Sequence, residues 1–131
     1  MSRKPVVNSY EMFTGLKASN GQVSPSVDAT ILQISKLTNV TPADSATIHI
    51  NFSAPNTGEI TVQARNIEVG PNEPDRGWYN LSFGAPTIIT NESDAQVLLN
   101  SLPFYEIRIM WTPTVGAGTI SAFLNTKVSG A

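Results

Sequence analysis

The stretch SATIHINFSAPNTGEITVQAR, residues 45–65, decides the fold class. Its first half sets Ala46, Ile48, Ile50 and Phe52 against Thr47, His49 and Asn51, and its second sets Ile60, Val62 and Ala64 against Glu59, Thr61, Gln63 and Arg65. Strict alternation sends successive side chains to opposite faces of a strand, so each half has one dry and one wet face. That is the pattern of an antiparallel sheet with one face on a core and the other in solvent. Between the halves, Ala54-Pro55-Asn56-Thr57-Gly58 is turn chemistry, and the spacing predicts a hairpin.

The same period recurs downstream. Tyr105, Ile107, Ile109 and Trp111 alternate with Glu106, Arg108, Met110 and Thr112, and Ile120, Ala122, Leu124 and Val128 mark a final strand over Gly118–Val128. Pro113 to Gly116 is expected to join these as a second hairpin. Shorter strands are expected at Ala29–Ile34, Trp78–Phe83, Thr87–Thr90 and Gln96–Leu99, separated by Gly, Pro, Asn and Asp clusters. No longer segment carries a helical apolar stripe, and a parallel sheet would need crossover helices, so the pattern predicts an all-β, antiparallel β-sandwich, jelly-roll-like, in a single domain. Residues 1–27 are poorer in apolar anchors and hold Pro5, Gly15, Gly21 and Pro25, which predicts an extended N-terminal arm preceding a sandwich of residues 28–131. An extended arm satisfies its backbone donors by pairing with another chain's sheet edge, and Tyr10, Phe13 and Leu16 are the side chains expected to dock there.

With 131 residues the chain has the length of one domain. Only 14% of residues are charged, where about 25% is usual, and the net charge is −2. Ser, Thr and Asn supply most of the polarity. Such a balance argues against binding to nucleic-acid phosphates, which scales with clustered Lys and Arg. No apolar run approaches the roughly 20 residues needed to cross a bilayer as a helix, so no membrane partner is expected. Met1-Ser2-Arg3-Lys4-Pro5 lacks the apolar stretch of a signal peptide, and secretion by that route is not expected. The absence of cysteine excludes disulfides, thiolate catalysis and Cys-ligated zinc.

Candidate chemistry is sparse. His49 is the only histidine, hence the only imidazole for a metal site or a catalytic triad, and its position on the wet face of a strand favours a solvated or hydrogen-bonded role. The loops Gly70–Gly77 and Asn91–Asp94 carry carboxylates that calcium accepts, without the ligand spacing of an EF-hand. Trp78, Tyr79, Phe104, Tyr105 and Trp111 fit either a core or a stacking platform for sugars. No nucleophile elbow, phosphate loop or zinc-protease helix occurs. No catalytic residue, metal or cofactor is therefore expected, and a hydrolase centred on His49 and a carbohydrate-binding module are the alternatives to an interaction protein.

Three segments carry a family resemblance: Gly77-Trp78-Tyr79-Asn80-Leu81; Leu102-Pro103-Phe104 running into Tyr105–Thr112; and Gly116-Ala117-Gly118-Thr119-Ile120-Ser121-Ala122-Phe123-Leu124. Across residues 58–128 the chain resembles a β-sandwich module of tailed-bacteriophage virion proteins. The resemblance implies a virion structural component made in the host cytoplasm, a capsid decoration or cement protein before a tail, neck or fibre component. Its implied partners are the major capsid protein or tail and neck subunits, together with copies of itself.

Overall fold

The two halves of residues 45–65 do not fold back on each other. In a computed structural model, which describes residues 6–15, 19–22, 24–40, 43–67, 69–81, 87–99 and 105–128, they form one strand of 21 residues. The described strands are β1 (Val6–Glu11), β2 (Ser26–Asp28), β3 (Gln33–Ile34), β4 (Thr38–Asn39), β5 (Ser45–Arg65), β6 (Tyr79–Asn80), β7 (Thr87–Leu99), β8 (Glu106–Val115) and β9 (Thr119–Val128). All pairings are antiparallel, in one curled sheet of order β1-β9-β5-β8-β3, with β7 and β6 on β5, β2 on β9 and β4 on β8. The all-β, antiparallel expectation holds.

Both expected hairpins are replaced by a single device. Residues Ser45–Phe52 pair with β9 and residues Thr57–Arg65 pair with β8, so β8 and β9 follow one another along β5 and do not pair with each other. The turn-forming residues of the two segments meet where that long ribbon bends. Asn56 is buried; its side-chain amide donates to the carbonyls of Ala54 (2.9 Å) and Ala117 (2.8 Å), and its side-chain oxygen accepts from the Ala117 amide (2.8 Å). The register slips on either side of Asn56 opposite β7 and between Thr57 and Gly58 opposite β8, as a bulge does. Pro55 and Asn56 thus crease a continuing strand instead of reversing it, because each half has its own ladder partner. At Gly58 there is no room for a Cβ, which would run into the Thr112 carbonyl and the Trp111 ring.

Other strand boundaries move for related reasons. The expected strands at 87–90 and 96–99 merge into the 13-residue β7, which carries Asn91–Asp94 within it and passes Asn91 through the left-handed region (φ 49°). Of the expected strand Ala29–Ile34 only Gln33–Ile34, β3, is strand, because the chain turns at Ala29–Thr30 directly after β2; Asp28 makes that turn by accepting from the Thr30 amide (2.8 Å) and hydroxyl (2.6 Å). Of the expected strand at 78–83, Tyr79–Asn80 pairs with β5, and residues 82–86 lie outside the described set.

The crease lets the two halves of the ribbon enclose a common core. Ile48, Ile50 and Phe52 of the first half share it with Ile60, Val62, Ile107, Ile109 and Trp111 of the second, and with Ile120 and Leu124 of β9. Phe52 and Trp111 touch across the crease with ring centroids 4.8 Å apart. The two ends of the strand order meet where the Lys36 amide, just after β3, donates to the Met12 carbonyl, just after β1 (3.1 Å). Residues of the expected arm take part throughout: Val6–Glu11 pair with Val128–Phe123, and Met12 and Phe13 lie in the core.

Candidate functional site

The densest polar cluster stands where β5 and β8 end against the 69–81 segment. Arg65, the last residue of β5, is the register partner of Glu106, the first of β8, and its Nε donates to Glu106 Oε1 at 2.8 Å. Two residues back on the same strand face, Gln63 opposes Arg108 and accepts from its Nε at 2.8 Å. Alternation assigns these side chains to the wet face, yet Arg65 is buried, because the segment after β5 folds back over it. Asp75 joins the group: Oδ1 accepts from Arg65 (2.7 Å) and from the Trp78 indole N–H (2.9 Å), and Oδ2 accepts from Arg108 (3.1 Å). The guanidinium carbons of Arg65 and Arg108 lie 4.4 and 4.1 Å from the centroid of the Trp78 ring, within cation–π range.

Electrostatically the cluster is self-contained. Burial works against the Arg65 charge, but the hydrogen bond and charge of Glu106, then those of Asp75, outweigh it and hold the guanidinium above its ordinary value. The Trp78 hydrogen bond, followed by those from Arg108 and Arg65, keeps the Asp75 carboxyl below its ordinary 3.8 against a smaller opposing effect of desolvation. Two cations and two carboxylates satisfy one another, so the group clamps the 69–78 segment to the sheet. A pH dependence follows. Because the folded value of Asp75 is depressed, its contribution is fully present above the unfolded value near 3.8 and is lost as pH falls through the lower folded value. Acid titration is expected to shift Trp78 fluorescence below about pH 4, with the step absent in Asp75→Asn; the same step in that variant would assign it elsewhere. Asp28, held low by the Thr30 hydroxyl and then its amide, titrates in the same range but is remote in sequence and contact from Trp78.

The residues singled out from the sequence are dispersed. Tyr10 is on β1, opposite Leu124, and 38% exposed, whereas Phe13 is 2% exposed in this chain's own core; Leu16 lies outside the described residues. His49 Nε2 is 3.3 Å from Asp94 Oδ1, and both side chains are open to solvent. The Gly70–Gly77 carboxylates, considered for calcium, are engaged by arginines: Asp75 as above, and Glu73 by Arg76 at 3.4 Å. Among the described residues no three His, Asp or Glu side chains group as a metal site would need. Trp111 is enclosed, its indole N–H donating to the Ala29 carbonyl at 2.8 Å, and Phe104 lies outside the described residues.

A second surface feature went unread in the sequence. Ile31, Leu32, Ile34 and Leu37, on and around the short β3, are 42–55% exposed. Ser35 between them is buried, its amide bonded to the Ile109 carbonyl and its hydroxyl accepting from the Ile109 amide, both at 2.8 Å. The available signal was the run Ile31-Leu32-Gln33-Ile34-Ser35-Lys36-Leu37, too apolar for its inward-pointing positions alone.

The arrangement defines a β domain, without a helix among the described residues, built on the curled antiparallel sheet described above. No protein-family model and no curated protein matches it. Among solved structures the chain is similar to the SPBc2 prophage-derived protein YomS, with 10% identity, a TM-score of 0.61 and 98% of each chain covered. It also aligns with chitosan-binding module 1 of a chitosanase/glucanase from Paenibacillus sp. IK-5 (12% identity, TM-score 0.48, 95% of this chain and 94% of that one). A chain of infectious bursal disease virus Gx strain aligns at 12% identity and a TM-score of 0.42, over 99% of this chain and 33% of that one. The likeness to YomS shows a shared fold from end to end.

Proposed function

We propose that this chain is a non-enzymatic structural subunit of a virion that works by binding other virion subunits, decorating or cementing the capsid shell. The observation that carries the reading is the aliphatic strip Ile31, Leu32, Ile34 and Leu37, four large apolar side chains held outward within seven residues. Single exposed aliphatics are ordinary, but a contiguous set on a weakly charged surface is the mark of a protein interface. Support for a virion as the setting comes from the resemblance of residues 58–128 to phage virion modules and from the prophage origin of the fold's neighbour YomS. A shell position is proposed before the tail, neck or fibre. A sugar-binding role has less support: Trp111 is enclosed and the Trp78 ring carries two guanidiniums, which leaves Tyr79 as the exposed ring among the described candidates.

Cosedimentation with purified virions of the encoding phage tests the reading. The wild-type chain is expected to sediment with capsids. Leu32→Asp with Leu37→Asp is expected to leave the melting temperature nearly unchanged, since exposed substitutions cost less than about 0.5 kcal/mol each, and to abolish cosedimentation. Wild-type occupancy by that variant, or binding to tails in place of capsids, overturns the strip or the shell assignment respectively.

A further inference from the structure

We propose that the outer edge of β7 accepts an extended, basic segment of another protein chain as an added strand, a surface separate from the aliphatic strip. The inference rests on the reading of this chain as an assembly subunit and names the chemistry of one partner. Among the described residues β7 is hydrogen-bonded to β5 alone, so over its 13 residues every second pair of backbone groups faces outward without a strand to receive it. Natural sheets blunt such edges with short strands, lysine or proline. Thr87–Leu99 is long and contains no Lys, Arg or Pro. Its irregularities lie opposite the crease, where the register with β5 slips on either side of Asn56 and Asn91 is left-handed, its amide donating to the Thr57 hydroxyl at 3.0 Å and so tied to β5.

The side chains along the edge select the occupant. Ile88 and Leu98 are 59% and 66% exposed near its two ends, and Glu92 and Asp94 are exposed at its centre. Antiparallel pairing of β7 with the same strand of a second copy, about a two-fold near Ser93, would set the acidic pair of one copy against that of the other. Like charges directly opposite destabilise a strand pair. Asp94 has His49 Nε2 at 3.3 Å, and among the described residues no ion pair engages Glu92. A strand with Lys or Arg at its centre and apolar residues toward both ends matches this edge in charge and in apolar positions, with main-chain bonds giving affinity and alternate side chains giving selectivity. The acidic centre thereby disfavours self-association while favouring a basic partner.

The probe is a synthetic nonapeptide alternating threonine and valine at its ends with two lysines at its centre, titrated into the full chain and followed by calorimetry and amide hydrogen exchange. Binding with new protection confined to β7 is expected. Exchanging the two lysines for glutamates, or the central residue for proline, is expected to abolish it. The double variant Glu92→Lys with Asp94→Lys, checked for an unchanged melting temperature, is expected to bind the lysine peptide at least about tenfold more weakly and to take up the glutamate peptide instead. No binding of the lysine peptide, binding indifferent to charge reversal, or a wild-type dimer that dissociates when Leu98 is changed to Lys overturns the proposal, the last by making a second copy the occupant. Wild-type cosedimentation with capsids alongside a failed peptide titration sinks this inference alone; peptide binding without cosedimentation sinks the virion assignment alone.

Discussion

Replacing Trp111 with alanine is expected to lower the free energy of unfolding by about 3–5 kcal/mol, the range for truncating a large aromatic in a core. Trp111 is fully enclosed, and it sits at the crease, where the two halves of the ribbon meet. Three losses coincide. The cavity left by the indole opens beside Phe52 and Gly58, whose missing Cβ is what admits the ring. The Ala29 carbonyl loses its 2.8 Å bond from the indole N–H. The turn after β2 thereby loses its tie to β8. Trp111→Phe restores most of the volume without the donor and is expected to recover more than half of the loss, which separates packing from the hydrogen bond. Urea denaturation of the three proteins measures both. A cost below about 1 kcal/mol for the alanine variant would mean that the halves do not close over this ring.

The same ring illustrates how far the sequence could be read. Period-two alternation correctly assigned Ile48, Ile50, Ile60, Ile107, Ile109, Trp111, Ile120 and Leu124 to one dry face, because inward positions are fixed by burial alone. What alternation does not encode is which strand a turn sends the chain toward. Pro55-Asn56-Thr57-Gly58 and Pro113 to Gly116 have the composition of hairpin turns, and only the cross-contact between Asn56 and Ala117, 61 positions apart, makes this one crease. The polar cluster was hidden for a similar reason. Arg65, Asp75, Trp78 and Arg108 lie on two strands and a connecting segment, so no local spacing announces them, and Arg65 sits on the face that alternation calls wet. Asp75 fell within a loop considered for calcium, where its carboxylate could be seen but its arginine partners could not. The aliphatic strip was legible as composition, and became meaningful only once the turn at Ala29–Thr30 and the buried Ser35 fixed which way Ile34 and its neighbours point.

Removing the buried charge of Arg65 is the other change with a large expected effect. Arg65 and Glu106 are side chains with only 4% and 10% of their surface open, joined at 2.8 Å. A buried pair gains little over an apolar pair of the same shape, since desolvating both ions offsets most of their attraction; breaking it by deleting one partner strands the other, at a cost of about 3–5 kcal/mol. Arg65→Met keeps much of the aliphatic stem and leaves Glu106 without its guanidinium, so a loss in that range is expected in urea denaturation at neutral pH. Asp75 keeps Trp78 and Arg108 as donors, which limits the damage in the 69–78 segment to a loosening that Trp78 fluorescence reports. Glu106→Gln in the same background removes the stranded charge, and the double variant is therefore expected to be more stable than Arg65→Met alone. Additive losses from the two substitutions would show instead that solvent reaches Glu106, and that the 69–78 segment covers Arg65 without sealing the pair beneath it.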